Sequence, residues 1–191
     1  IAVSRDTTGD FRLFINGNLD ATNTSYRTTD LSSLGTATMA IGNGLNRAVE
    51  EPFEGFISNF RLVKGTALYT SSFTPSTSPL TVVTNTKLLT CCSNRFVDKS
   101  VGATFSFTGS PKIQPFSPFA PSTSYLPATK GGSMSSSGSG DGATIAANTA
   151  LDLLSNGTFT IDFWFYRTSS FGTYSDYVGI FNGVSSGVLL Y

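Results

Sequence analysis

The sequence contains no histidine among its 191 residues. A chain without histidine cannot build a Ser-His-Asp or Cys-His catalytic arrangement, a zinc site with imidazole ligands or an imidazole acid–base catalyst. The classes of enzymes that depend on these groups are therefore excluded.

Cysteine is also scarce, since the only two, Cys91 and Cys92, are adjacent. A disulfide between neighbouring residues closes a strained ring, so we expect no intrachain bridge. We interpret the pair as two small residues at the end of a strand, with an interchain bridge as the alternative. Without a disulfide framework, the cysteines do not indicate a redox compartment.

Charged residues make up only 13% of the chain, against a usual fraction of roughly 25%. Lysine and arginine number 12, as do aspartate and glutamate, so the net charge is zero. The basic footprint of a nucleic-acid-binding protein is therefore missing, and no apolar run approaches the ~20 residues that span a membrane. We therefore expect no nucleic-acid partner and no membrane span. A neutral surface rich in serine and threonine suits a protein outside a cell or in a virus particle.

The abundant residues are those of strands and tight turns. The chain has 16 phenylalanines, seven tyrosines and 19 glycines, and hydrophobic residues make up 39% of it. Serine, threonine, valine and aromatic residues favour pleated, half-buried strands, whereas helix-forming residues are few. The sequence predicts an all-β fold.

Two stretches give the clearest local signals. Asn16-Gly17 lies between apolar stretches and predicts a hairpin, because a type I′ turn needs positive φ at both central positions. Residues 53–63 read as a strand. Simple alternation along this strand predicts one face formed by Phe56, Ser58, Phe60 and Leu62.

Residues 158–167 read as a strand with bulky residues on both faces. Trp164 and Tyr166 share one face, and we expect Trp164 to be part of the core. A strand buried on both sides belongs at the centre of a sheet that is covered on both faces. The opposite face is formed by Phe159, Ile161, Phe163 and Phe165.

The segment 93–130 contains five prolines, which cannot donate hydrogen bonds to a sheet. We therefore expect a Pro-rich connector that runs extended over a surface or joins two domains. The sequence also begins and stops within strand-like stretches, so we expect it to be a piece of a longer chain.

Several stretches together resemble the concanavalin A-like lectin/glucanase superfamily, specifically its laminin G-like jelly rolls. The resemblance implies a two-sheet antiparallel jelly-roll sandwich. The turn at 68–75 and the Pro-Phe-Ser-Pro-Phe stretch at 115–119 are similar to repeat arrays in large bacteriophage virion proteins. The stretches that carry the family resemblance are 1–5 with 11–17, 53–62, 138–141 and 159–166.

The order of these stretches suggests permuted halves of two tandem domains. Residues 1–92 resemble the second half of a laminin G-like sandwich and residues 131–191 the first half of the next. Half a sandwich leaves an apolar sheet face uncovered, so each half needs a complement. We expect the two tethered halves to close on each other, and exchange with a neighbouring copy is the alternative.

The sequence predicts a non-catalytic protein. Glucanases of this superfamily place paired acidic residues on alternate strand positions beside the glycosidic bond. Here Glu50, Glu51 and Glu54 precede a strand without that spacing, and Asp162 stands alone between apolar residues.

The resemblance also implies candidate binding residues. Calcium in such domains takes loop oxygen ligands, which Asp141, Asn43 and Asn46 would supply, although Asp and Asn are also common turn residues. Exposed aromatic rings stack on sugars, but packing or capping would equally explain tyrosines in loops. The candidate glycan-binding tyrosines are Tyr26, Tyr69, Tyr174 and Tyr177.

The function expected from these observations is that of a structural and recognition module in a virion or extracellular assembly, similar to a phage tail or fibre component. Its expected partners are other copies or neighbouring repeats of the same protein and cell-surface glycans. The alternative is a calcium-dependent carbohydrate-binding adhesin module on a bacterial surface.

Overall fold

The computed structural model describes residues 1–28, 38–43, 53–119, 130–137, 140–146, 148–151, 157–168, 178–182 and 186–190. These residues form 13 strands in two sheets, and every pair of neighbouring strands is antiparallel. The predicted all-β fold with two antiparallel sheets is confirmed. The jelly-roll connectivity and the tandem-domain arrangement stay predictions.

The strands follow one another in this order: β1 (Ala2–Arg5), β2 (Phe11–Ile15), β3 (Asn18–Asn23), β4 (Thr38–Ile41), β5 (Glu54–Lys64), β6 (Thr86–Thr90), β7 (Phe105–Thr108), β8 (Lys112–Gln114), β9 (Ser133–Ser137), β10 (Gly142–Ile145), β11 (Phe159–Arg167), β12 (Val178–Asn182) and β13 (Ser186–Leu190). No helix in the part of the chain that the structure describes is long and apolar enough to cross a membrane.

The larger sheet has eight strands, in the order β3-β2-β1-β11-β5-β9-β8, with β6 also paired to β5. The first half of β5 pairs with β9 and the second half with β6, while β11 runs along its other side. Because β11 lies between β1 and β5, the segments 1–92 and 131–191 share this sheet. The smaller sheet has the order β13-β12-β4-β10-β7.

A single hydrophobic core joins the two sheets. Phe60 and Phe159 of the larger sheet belong to the same buried cluster as Met39, Ile41 and Ile145 of the smaller one. Burying one such side chain stabilises the fold by about 1.5–3 kcal/mol. The two sheets therefore pack face to face as a β-sandwich.

The predicted faces of β5 are wrong because the strand contains a β-bulge. Asn59 has a φ of 54°, and the register moves from Arg61 opposite Asp162 to Ser58 opposite Trp164. The extra residue on β5 reverses the alternation beyond it. The buried, core-facing side chains are therefore those of Ile57, Phe60 and Leu62, and those of Phe56 and Ser58 lie on the outer face.

Residues of the predicted connector 93–130 take part in both sheets. β7 pairs with β10, and β8 pairs with β9. Asp98 organises the preceding loop, since its carboxylate accepts backbone hydrogen bonds from Leu89, Ser100, Val101 and Ala103. Burial opposes ionisation of this carboxyl, but the hydrogen bonds outweigh burial and hold the pKa of Asp98 below its usual range.

The two cysteines directly follow β6 and are both buried with free thiols. Cys91 has a φ of 55° and accepts the backbone hydrogen bond of Asn59 at the bulge, with 2.9 Å between N and O. Burial raises the pKa of the Cys91 thiol to about 12, so this thiol is protonated at neutral pH.

Candidate functional site

The outer face of the larger sheet carries ordered rows of side chains where β9, β5 and β11 meet. The register places Ser135 opposite Phe56, and Phe56 opposite Tyr166. Two residues away along each strand, and therefore on the same face, Ser58 lies opposite Trp164. Side chains that face each other across paired strands lie close enough to form a common surface.

The segment 115–119 forms a wall beside these rows. The ring of Phe116 lies 4.7 Å from that of Phe56 and 5.3 Å from that of Tyr166, centroid to centroid. Phe119 meets Trp164 edge to face at 5.2 Å. Ser117 is fully buried and fixes the segment, because its Oγ donates to the carbonyl of Lys130 and accepts the amide of Phe119.

Together these residues enclose a cavity of about 120 Å³, which we call the aromatic groove. Tyr166 is 57% exposed, so its ring is open to solvent although it belongs to a cluster of rings. An open apolar concavity with a few polar groups is the usual form of a ligand site. The groove is lined by Phe56, Ser58, Phe116, Pro118, Ser133, Trp164, Phe165 and Tyr166.

The polar groups of the groove are hydroxyls rather than charges. The Oγ of Ser58 donates to the carbonyl of Gly132 at 2.6 Å and accepts from the side-chain Nδ2 of Asn59 at 2.8 Å. Ser133 is fully buried, and its Oγ has no hydrogen-bond partner in the part of the chain that the structure describes. The groove therefore offers aromatic faces and the buried hydroxyl of Ser133, which is unpaired among the described residues.

At the rim of the groove, a glycine allows β5 and β11 to lie close together. Gly55 lies opposite Arg167 and has a φ of 147°, a backbone conformation that favours glycine. A Cβ added there would lie 2.1 Å from the carbonyl oxygen of Tyr166. A larger residue would therefore separate β5 from β11 beside the exposed ring of Tyr166.

The other half of this outer face is covered and holds a buried ion pair. Arg61 binds Asp162 through two hydrogen bonds, of 2.9 Å from Nε and 2.6 Å from Nη2. The hydroxyl of Tyr69 donates to Asp162 at 3.0 Å and accepts from Arg61 at 3.1 Å. Burial, with the neighbouring Asp162 charge, raises the pKa of Tyr69 to about 12.

The candidate glycan-binding tyrosines do not line the groove where the structure describes them. Tyr26 follows β3 and is 57% exposed. The ring of Tyr69 stacks on Phe73 with 3.6 Å between centroids, so one of its faces is covered. Tyr174 and Tyr177 lie outside the described residues. The roles of these four residues stay predictions.

The candidate calcium ligands Asp141 and Asn43 lie together at one end of β10. The side-chain Nδ2 of Asn43 donates to the carbonyl of Gly140 at 3.0 Å. The carboxylate of Asp141 accepts the backbone amides of Ser110 and Ser137 and the hydroxyl of Ser137, and the Ser137 hydroxyl contributes most to lowering its pKa. Asp141 therefore holds a turn in the manner of a structural carboxylate.

A calcium ion would need six to eight oxygen ligands. The described residues contain no group of three or more acidic, cysteine or histidine side chains placed to hold a metal. Among the described residues, the side-chain oxygen of Asn43 is buried without a hydrogen-bond partner, whereas the carboxylate of Asp141 already accepts hydrogen bonds from Ser110 and Ser137. Asn46 lies outside the described residues, and the assignment of Asp141, Asn43 and Asn46 as calcium ligands stays a prediction.

The sequence does not identify the residues that line the groove, because the patterns around them indicate other structural roles. The pattern of β11 predicts that Trp164 and Tyr166 form a buried face of a central strand, with Trp164 in the core. β11 is central, but only Phe159–Phe163 is buried on both faces, and Trp164 is partly exposed. Phe116 lies in a stretch whose prolines indicated a connector.

These features define an all-β protein of two antiparallel sheets, with β-sandwich character and an aromatic groove on the outer face of the larger sheet. No protein-family model, curated protein or solved structure matches the chain. The relation to the concanavalin A-like superfamily stays a prediction.

Proposed function

We propose that this chain is a non-catalytic structural and recognition module of a virion or extracellular assembly, and that it contacts cell-surface glycans through the aromatic groove. In the assembly its neighbours are other copies or adjoining repeats of the same protein. The observation that carries this proposal is the cluster of rings around the solvent-exposed Tyr166.

Aromatic rings suit sugar binding because one face of a pyranose ring presents mostly C–H groups. These groups pack on an aromatic face, while the hydroxyls at the ring edge keep their hydrogen bonds to water or to polar residues. Tyr166 offers such a face, and Phe56 and Phe116 hold it in place at 6.3 and 5.3 Å between centroids. A fixed ring loses little conformational entropy when a ligand binds.

Replacing Tyr166 with alanine is expected to weaken binding to glycans at least about tenfold, equivalent to about 1.4 kcal/mol. The reason is the loss of the stacking face, while the fold is kept because this side chain is largely exposed. The measurement is binding of the 191-residue chain to a panel of immobilised cell-surface glycans.

Two variants serve as controls. Tyr166→Phe keeps the ring and should retain binding, and Tyr26→Ala removes an equally exposed tyrosine that does not line the groove. Binding that survives Tyr166→Ala but is lost in Tyr26→Ala would place recognition elsewhere and contradict the proposal for the groove.

A further inference from the structure

The floor of the aromatic groove contains a hydroxyl without a hydrogen-bond partner in the described part of the chain, that of Ser133. The next residue, Met134, is buried in the core, so alternation along β9 places Ser133 on the outer face, where it lines the groove. A buried hydroxyl without a partner has lost its hydrogen bonds to water and gained none in return, which is unfavourable. A ligand that supplies the missing hydrogen bond recovers this cost.

This hydroxyl favours a sugar ring over an apolar side chain of a partner protein. A leucine or phenylalanine side chain would cover the aromatic walls but leave the Ser133 hydroxyl unpaired. A pyranose ring suits both the aromatic walls and the hydroxyl, because its C–H face packs on the rings and one of its own hydroxyls can form a hydrogen bond with Ser133.

The size of the groove limits the ligand to one ring. An enclosed apolar cavity of about 150 Å³ holds a single benzene molecule. The groove has a smaller volume, about 120 Å³, and opens to solvent at Tyr166, so a hexopyranose, which has more heavy atoms than benzene, can place one face of its ring in the groove and keeps the rest in solvent. A second sugar of a chain would lie outside the groove.

The lining residues also limit the charge of the ligand. Among the residues described as lining the groove there is no charged side chain. A sugar carboxylate placed there would lose water without gaining a cationic partner, and that desolvation is costly. Neutral sugars are therefore favoured over uronic and sialic acids.

We infer that the aromatic groove binds one neutral hexopyranose ring, stacked on Tyr166 and hydrogen-bonded through one hydroxyl to the Oγ of Ser133. The inference rests on the proposed function and names the class of sugar that this site takes.

The test uses the single tryptophan of the chain, Trp164, whose fluorescence reports on the groove that it lines. The 191-residue chain is titrated with the methyl glycosides of glucose, galactose and mannose, and with glucuronic and N-acetylneuraminic acid. At least one neutral glycoside should give a saturable change with a Kd of about 1 mM, as a small ligand with few contacts would. The two acids should bind at least about tenfold more weakly.

Ser133→Ala should weaken binding of the neutral glycoside about tenfold, the fold-change expected for one lost hydrogen bond. Because this hydroxyl has no partner among the described residues of the free protein, the variant should melt at the same or a higher temperature. A loss of affinity without a loss of stability separates a ligand contact from a structural role. Ser71→Ala, which removes the hydroxyl of an exposed serine that does not line the groove, is the matched control and should bind as the original chain does.

Four results would overturn the inference, and they separate it from the proposed function. Unchanged affinity in Ser133→Ala, or equal binding of the acids, would refute the neutral-ring site. Binding to immobilised glycans that depends on Tyr166, without saturable binding of any single hexopyranose, would refute this inference and leave the proposed function standing. Failure of every glycan of any size to bind would refute both.

Discussion

Replacing Asp162 with alanine is expected to lower the free energy of unfolding by about 3–5 kcal/mol. The change leaves the guanidinium of Arg61 buried without its carboxylate, and the hydroxyl of Tyr69 loses its acceptor. An uncompensated buried charge is among the largest single destabilisations known for a point substitution. Urea unfolding at neutral pH, followed by Trp164 fluorescence, measures the effect.

The matched control for the ion pair removes both charges. A chain with Arg61→Met and Asp162→Leu keeps most of the volume and buries no charge, so it should be much more stable than Asp162→Ala alone. If Asp162→Ala changes the free energy of unfolding by less than about 1 kcal/mol, the pair is accessible to water and the account of this covered face is wrong.

Replacing Asn59 with valine is expected to lower the free energy of unfolding by about 3–5 kcal/mol. Valine strongly disfavours the positive φ that the bulge requires. It also leaves the amide of Leu80 without the side-chain oxygen that it bonds at 2.8 Å. The same urea unfolding experiment measures the loss.

Asn59→Gly separates the effect of backbone strain from the effect of the lost side-chain hydrogen bond. Glycine adopts positive φ without strain, so this variant should lose only the side-chain hydrogen bonds, about 1–3 kcal/mol. Equal stabilities of the valine and glycine variants would show that β5 tolerates a regular backbone at this position. The bulge would then not fix the register that brings Ser58 opposite Trp164.

Local features of the fold were predictable because their signals lie within a few residues. Asn16-Gly17 joins β2 to β3, and both residues have positive φ, 51° and 80°, as the predicted hairpin turn requires. The central position of β11 followed from its bulky side chains. The all-β class followed from composition alone.

The faces of β5 were not predictable by alternation, because one bulge reverses the pattern after it. Asn59 is the only hint in the sequence, since asparagine tolerates positive φ better than most residues. The bulge is stabilised by distant partners, the amide of Leu80 and the carbonyl of Cys91. Such long-range contacts leave no periodic signal in the sequence.

The aromatic groove was not predictable for a related reason. Its walls come from β5, β11 and the segment 115–119, which are separated by tens of residues along the chain. Prolines at 115 and 118 indicate a connector, and the segment forms no strand, but it places Phe116 against Tyr166. Only the sheet order and the ring contacts of Phe116 show that these segments meet.

The central claim is that the aromatic groove is the recognition surface of this protein. Mapping the backbone amide and indole NMR signals of the 191-residue chain during titration with a bound neutral glycoside tests it most directly. The account predicts that the largest shifts fall on Phe56, Ser133, Tyr166 and the indole of Trp164. Shifts confined to Tyr26, or to the end of β10 around Asn43 and Asp141, would contradict it.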